Sequence, residues 1–97
     1  MSESIERVGV VGAGLMGAGI AEVAAKAGTD VTVCDINEAA VAAGRSRIEA
    51  SLQKAVRAGK LDDDAAMAAL GHVRFVTDIG ELADRQLVVE AVREFED

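Results

Sequence analysis

The chain has 97 residues, a net charge of −7 and a single cysteine. That length suits one small domain or part of a larger one, and 51% hydrophobic residues can bury a core. One cysteine excludes an intrachain disulfide and a multi-cysteine zinc site, while 17 acidic against 10 basic residues and 2% aromatics argue against nucleic acid as a partner.

The opening Met1-Ser2-Glu3-Ser4 is acidic, unlike the basic start of a signal peptide. No apolar stretch approaches the ~20 residues that span a bilayer. A cytoplasmic setting without a membrane partner is expected. Residues 5–11 are predicted to form the first strand. Val8, Val10 and Val11 are β-branched, and the near-continuous apolar run suits a strand buried on both faces of a parallel sheet. The run stops at Gly12-Ala13-Gly14-Leu15-Met16-Gly17, and an alanine-rich segment continues to Gly28. Met16, Ile20, Val23, Ala24 and Ala27 recur at helical spacing and are expected to form the apolar stripe of a helix, with Met16 packed beneath it. Gly28 supplies its stop.

Residues 30–35 are predicted as a second strand. Asn37 then caps a long helix over residues 38–58, with Val41, Ile48, Leu52, Ala55 and Val56 as its apolar stripe. Gly59-Lys60 breaks it, and Leu61-Asp62-Asp63-Asp64 opens a shorter helix ending near Gly71. Acidic residues in a first turn complement the helix dipole. The run lacks ligands arranged around an ion, so no metal is expected. Residues 73–77 and 87–90 read as the third and fourth strands, with a polar loop or single helical turn over residues 80–85. Residues 93–97 look like the opening of a further helix. Cys34 reads as a small buried apolar residue, and His72 as a helix-terminal or surface group. The order β-α-β-α-α-β-β makes an α/β chain with a mostly parallel sheet.

Gly12-x-Gly14-x-x-Gly17 lies where a phosphate-binding turn needs it, after a strand and at the opening of a helix. Gly12 permits the tight turn, Gly14 lets a pyrophosphate approach the backbone, and Gly17 allows close packing of helix on sheet. The N–H groups of Leu15 to Gly17 and the helix dipole then face the anion. The alternative is a tight turn with no ligand. Asp35 ends the second strand 18 residues after Gly17, placed to accept hydrogen bonds from both hydroxyls of an adenosine ribose. It would repel a 2′-phosphate, and no Arg or Lys lies between Gly28 and Arg45 to bind one, so NAD is favoured over NADP. Asp35 can also be read as a helix cap, in a loose capping box with Glu38.

Strands two and three are joined by two helices where one would suffice. Between Arg45 and Lys60 stand five cations (Arg45, Arg47, Lys54, Arg57, Lys60) against Glu49 alone, a net +4 in an acidic chain. Such a segment suits an anionic ligand. At 100° per residue Arg47, Ser51 and Lys54 share a stripe, and two cations with a hydroxyl can hold a phosphate. An ordinary solvated helix face is the other reading.

These residues resemble the L-3-hydroxyacyl-CoA dehydrogenases, in particular the short bacterial 3-hydroxybutyryl-CoA dehydrogenases, over essentially the whole chain. The likeness rests on Val8-Gly-Val-Val-Gly-Ala-Gly-Leu-Met-Gly-Ala-Gly-Ile-Ala21, on Val31-Thr-Val-Cys-Asp35, on Ser51-Leu-Gln-Lys54 with Gly59-Lys60, on Thr77-Asp78, and on Leu87-Val-Val-Glu-Ala-Val92 with Glu94. The resemblance implies a partial Rossmann-type, doubly wound, mostly parallel sheet with a helical hairpin between strands two and three. It implies NAD-dependent interconversion of a 3-hydroxyacyl-CoA and its 3-ketoacyl-CoA, in fatty acid metabolism. It assigns the pyrophosphate to Gly12, Ala13, Gly14, Leu15, Met16 and Gly17, the ribose to Asp35, and a place near the cofactor to Glu94. Ser51 matches a CoA-contacting position. A second such position, a lysine in the family, falls near Ala58, leaving Arg57 or Lys60 to substitute, with Lys54 on the same stripe as Ser51.

The family's catalytic histidine, its glutamate partner and the neighbouring Ser and Asn have no counterpart in residues 1–97. These residues are therefore expected to be an incomplete NAD-binding domain, without the C-terminal helical domain that covers substrate and builds a homodimer. The chain alone is expected to be inactive and either marginally stable or self-associating. The rival expectations are a related dehydrogenase of free hydroxy acids or sugar acids, and a non-catalytic nucleotide-binding fragment.

Overall fold

A strand buried on both faces must receive packing from both sides, and the first strand shows what each side receives. In a computed structural model, which describes residues 6–91, β1 (Arg7–Val11) leads through α1 (Leu15–Lys26) to β2 (Asp30–Cys34). The hairpin of α2 (Glu38–Arg57) and α3 (Asp63–Gly71) follows, then β3 (Val73–Val76), a 3-10 turn (Ile79–Leu82) and β4 (Leu87–Glu90). The four strands form one parallel sheet in the order β3-β2-β1-β4. This is a Rossmann-type arrangement, with the helical hairpin inserted between β2 and β3.

The register aligns Val8 with Val31 and Leu87, and Val31 with Val73; one pleat further it aligns Val10 with Val33 and Val89, and Val33 with Phe75. Because side chains alternate along a strand, these rows lie on one face. The central valines of that face are buried against Ala18, Ala21 and Ala25 of α1, Ile48 and Leu52 of α2, and Ala66 and Ala69 of α3. The opposite face takes its cover from the 3-10 turn, whose Leu82 packs close over Gly9. That turn makes the segment after β3 more than a polar loop. Asp78 caps it by accepting from the Gly80 N–H, and Leu82 is only 5% exposed.

Local signals account for the helix ends. Asn37 Oδ1 accepts from Ala40 N at 2.9 Å, and Asp62 Oδ1 accepts from Ala65 N at 2.7 Å. Each satisfies one of the N–H groups that a helix start leaves without an intrahelical partner. His72 caps the C-terminus of α3, with Nδ1 3.3 Å from Asp30 Oδ1. It therefore stands at the N-terminal edge of the sheet.

The expected stripe of α1 is only partly the face that is buried, with Ile20 and Ala24 half-buried against the core. Met16 and Val23 are 69% and 67% exposed, and the helix buries Gly17, Ala18, Ala21 and Ala25 instead. The reason is distance. α1 starts so close to the sheet that only small side chains fit beneath it, and periodicity alone does not rank apolar residues by size. Met16, Ile20 and Val23 line an open apolar groove with Leu87 and Val89 of β4. The helix expected over residues 93–97 lies outside the described residues.

Candidate functional site

The turns that follow β1, β2 and β3 meet at the C-terminal edge of the sheet, where open parallel α/β sheets bind ligands. β1 ends at Val11, and Gly12 turns the chain with φ at +108°, a conformation L side chains rarely adopt. Its N–H donates to the Cys34 carbonyl at 2.8 Å, which ties the turn to the end of β2. Gly14 is the N-cap of α1, with no side-chain cap and no acidic residue in the first turn. A Cβ added to Gly14 would meet nothing within 4 Å, so packing within the chain does not demand glycine there, and the backbone lies open to approach. A Cβ added to Gly17 would stand 1.8 Å from the Gly12 carbonyl oxygen, so only glycine lets α1 begin this close to the turn. The unsatisfied N–H groups of the first helical turn and the helix dipole together make a place for an anion.

Asp35 lies just beyond β2 and reaches back to this turn. Its Oδ2 accepts from Ala13 N at 2.6 Å, and its Oδ1 accepts from the N–H of Ile36 at 2.6 Å. Asp35 is not the cap of α2, since that role falls to Asn37. An ionised carboxylate has about four acceptor positions. With one used on each oxygen, both oxygens keep capacity for a further donor, such as a vicinal pair of ribose hydroxyls. Beside Asp35 opens a cavity of about 540 Å³, walled by the ends of β1 and β2 and by Ile36, Thr77, Asp78 and Ile79. Ile36 and Ile79 are 83% and 59% exposed, an apolar pair at a site whose other prominent groups are carboxylates. The donor set thus fits a dinucleotide: bare amides for its phosphates, a carboxylate for its ribose and apolar walls for a base.

Cys34 forms part of the cavity floor. Burial, then the nearby carboxylates of Asp35 and Asp78, push its thiol above the usual range. It stays neutral and is a poor nucleophile. Among the described residues no group of three His, Cys, Asp or Glu side chains is placed to hold a metal.

The structure therefore brings Gly12, Ala13, Gly14, Leu15, Met16, Gly17 and Asp35 into one place. Leu15 and Met16 present their backbone there while their side chains are exposed. Ser51, Lys54, Arg57 and Lys60 are exposed on the second half of α2 and just beyond it, and none of them walls the cavity. Arg47 departs from expectation. Its Nη1 donates to the Ala13 carbonyl at 3.2 Å, so the stripe with Ser51 and Lys54 does not offer two uncommitted cations. The helical wheel shows neighbours on one helix, but not a contact made 34 residues back along the chain. The cavity wall at residues 77–79 was not singled out chemically either, because nothing local marks a strand end as a binding edge. Glu94 lies outside the described residues.

The family described as "3-hydroxyacyl-CoA dehydrogenase, NAD binding domain" matches residues 7–97. A 3-hydroxybutyryl-CoA dehydrogenase of Mycobacterium tuberculosis is 57% identical over 96 residues, covering 99% of this chain and 34% of that protein. The crystal structure of M. tuberculosis FadB2 superposes with a TM-score of 0.93 at 56% identity, covering 96% of this chain and 33% of that one. The (S)-3-hydroxybutyryl-CoA dehydrogenase PaaH1 of Ralstonia eutropha gives 0.91 at 36% identity, over 96% of this chain and 33% of that one. The chain spans about a third of the length of these relatives.

Proposed function

Because this chain belongs to the 3-hydroxyacyl-CoA dehydrogenase family, as its NAD-binding domain, we propose that it presents NAD to a 3-hydroxyacyl-CoA, with 3-hydroxybutyryl-CoA as the first candidate. The observation that carries the reading is the Asp35 carboxylate, hydrogen-bonded to Ala13 inside the glycine turn and open on both oxygens to a ribose. In this reading the amides of residues 12–17 hold the pyrophosphate. Asp35 orients the adenosine ribose and repels a 2′-phosphate, which favours NAD over NADP. The family resemblance assigns Glu94 to the cofactor side. Ser51, Lys54, Arg57 and Lys60 supply the hydroxyl and positive charge for the phosphates of CoA.

Bound nicotinamide supplies the hydride acceptor or donor for substrate C3. The residues of this chain bind and orient. Proton transfer to and from the substrate hydroxyl falls to a histidine in the remainder of the protein. Residues 1–97 then form an incomplete NAD-binding domain, and a C-terminal helical domain covers the substrate and forms a homodimer. Relatives three times as long support that division. No helix among the described residues is long and apolar enough to cross a membrane, and we place the protein in the cytoplasm.

Calorimetric titration tests the cofactor reading, with NAD expected to bind and NADP to bind at least tenfold more weakly, because its 2′-phosphate meets the half-buried Asp35 carboxylate as a like charge. 3′-Phospho-ADP should compete for the basic face of α2 if CoA is the substrate carrier. If it does not, a dehydrogenase of free hydroxy acids becomes the better reading. Incubated with acetoacetyl-CoA and NADH, the 97-residue chain alone should show no turnover.

A further inference from the structure

The glycine turn is also held from the inserted hairpin, by residues that do not wall the cavity beside Asp35. Gly44 lies in α2, with no φ requirement and no cap to make. A Cβ added there would stand 2.6 Å from Ala13 Cβ and 2.9 Å from the Ala13 carbonyl oxygen. Gly44 therefore lets the α2 backbone rest directly on the turn. Arg47 follows three residues later, on the same face of the helix, and donates from Nη1 to that carbonyl at 3.2 Å. The Ala13 N–H is taken by Asp35 at 2.6 Å. Both backbone polar groups of Ala13 are thus fixed by side chains of the β2–α2 unit, and Ala13 itself is only 1% exposed.

We infer that Gly44 and Arg47 are positioning residues for the pyrophosphate turn. The Arg47 guanidinium and the bare face of α2 at Gly44 hold the Ala13–Gly14 peptide in the orientation that points the following amides at the phosphates. The affinity for NAD then depends on the hairpin as well as on the glycine motif. The inference rests on the NAD reading proposed above.

The test compares wild type, Arg47→Met and Arg47→Lys in the full chain, by calorimetry with NAD and by NMR titration with adenosine, which carries no phosphate. Arg47→Met keeps the aliphatic stem and removes the donor. It should weaken NAD about fivefold, the size of one hydrogen bond, and leave adenosine unchanged. Arg47→Lys restores a donor and should recover most of the loss. The ratio between Arg47→Met and wild type should hold as salt rises from about 0.05 to 0.5 M, because a hydrogen bond that shapes the turn is not screened as a bare charge is. Gly44→Ala should weaken NAD further, and Arg47→Met decides the matter even if Gly44→Ala does not fold.

Unchanged NAD affinity in Arg47→Met overturns the inference. So does a loss that disappears at 0.5 M salt, which would make Arg47 only a distant charge, or an equal loss for adenosine with a lower melting temperature, which would make it general scaffolding. A wild-type chain that binds no NAD overturns the cofactor reading itself, a result distinct from all of these.

Discussion

At the scale of single residues, Asp35 joins the hold on the glycine turn to the proposed ribose contact in one carboxylate. It holds Ala13 N at 2.6 Å and remains open to a ligand. Asp35→Asn keeps the shape, but a donor replaces one acceptor, so either the turn or the ribose loses its partner. Calorimetry should show NAD affinity lower by about tenfold or more, and unchanged affinity would remove Asp35 from the site. Gly17→Ala is a harsher change. Its methyl group would sit 1.8 Å from the Gly12 carbonyl, so the turn must open, and both NAD binding and the thermal midpoint should fall. Cys34 offers a check on the interior. Its thiol is raised by burial first and by neighbouring carboxylates second. The neutral thiol therefore contributes stability below the ordinary thiol pKa, and that contribution is lost as pH rises through the higher folded value. Alkylation by iodoacetamide at pH 8 should be slow in the native chain and fast after denaturation.

At the scale of elements, the caps and stops were legible because they are local. Asn37 and the strand end at Glu90 depend on a few neighbouring residues each, whereas the second strand stops at Cys34, one residue short of the expected Asp35. Asn37→Ala removes the acceptor for Ala40 N and should cost about 1 kcal/mol in a urea melt, with no loss of NAD affinity beyond that of a slightly less stable fold. The buried face of α1 was only partly legible, because the exposed Met16 and Val23 satisfy helical periodicity as well as Ala18, Ala21 and Ala25 do. What separates the two sets is the closeness of α1 to β1, which Gly17 permits. The basic stripe of α2 shows the same limit. Its charges are evident from spacing, but the commitment of Arg47 to Ala13 is a contact between elements.

At the scale of the whole molecule, β4 pairs only with β1 among the described residues, and Leu87 and Val88 are 45% and 44% exposed. The groove between α1 and β4 is apolar as well, with Val8, Met16, Ile20, Val23, Leu87 and Val89 on its walls. An open strand edge beside an apolar surface invites pairing with another chain. The 97-residue chain should therefore self-associate in light scattering, and Val88→Lys, a charge on the edge strand, should raise the monomer fraction. A wild-type chain that stays monomeric at high concentration would show that the net charge of −7 outweighs the open edge.

The sequence by itself determined the α/β order of elements, the glycine turn between the first strand and helix, the acidic residue that follows the second strand and the family likeness, since all of these are carried by short-range spacing. The tertiary structure alone decided which face of α1 is buried, what walls the cavity beside Asp35, and that α2 grips the glycine turn through Gly44 and Arg47. Those features arise where segments distant in the chain come within van der Waals or hydrogen-bond reach, and no periodicity within one segment encodes that distance.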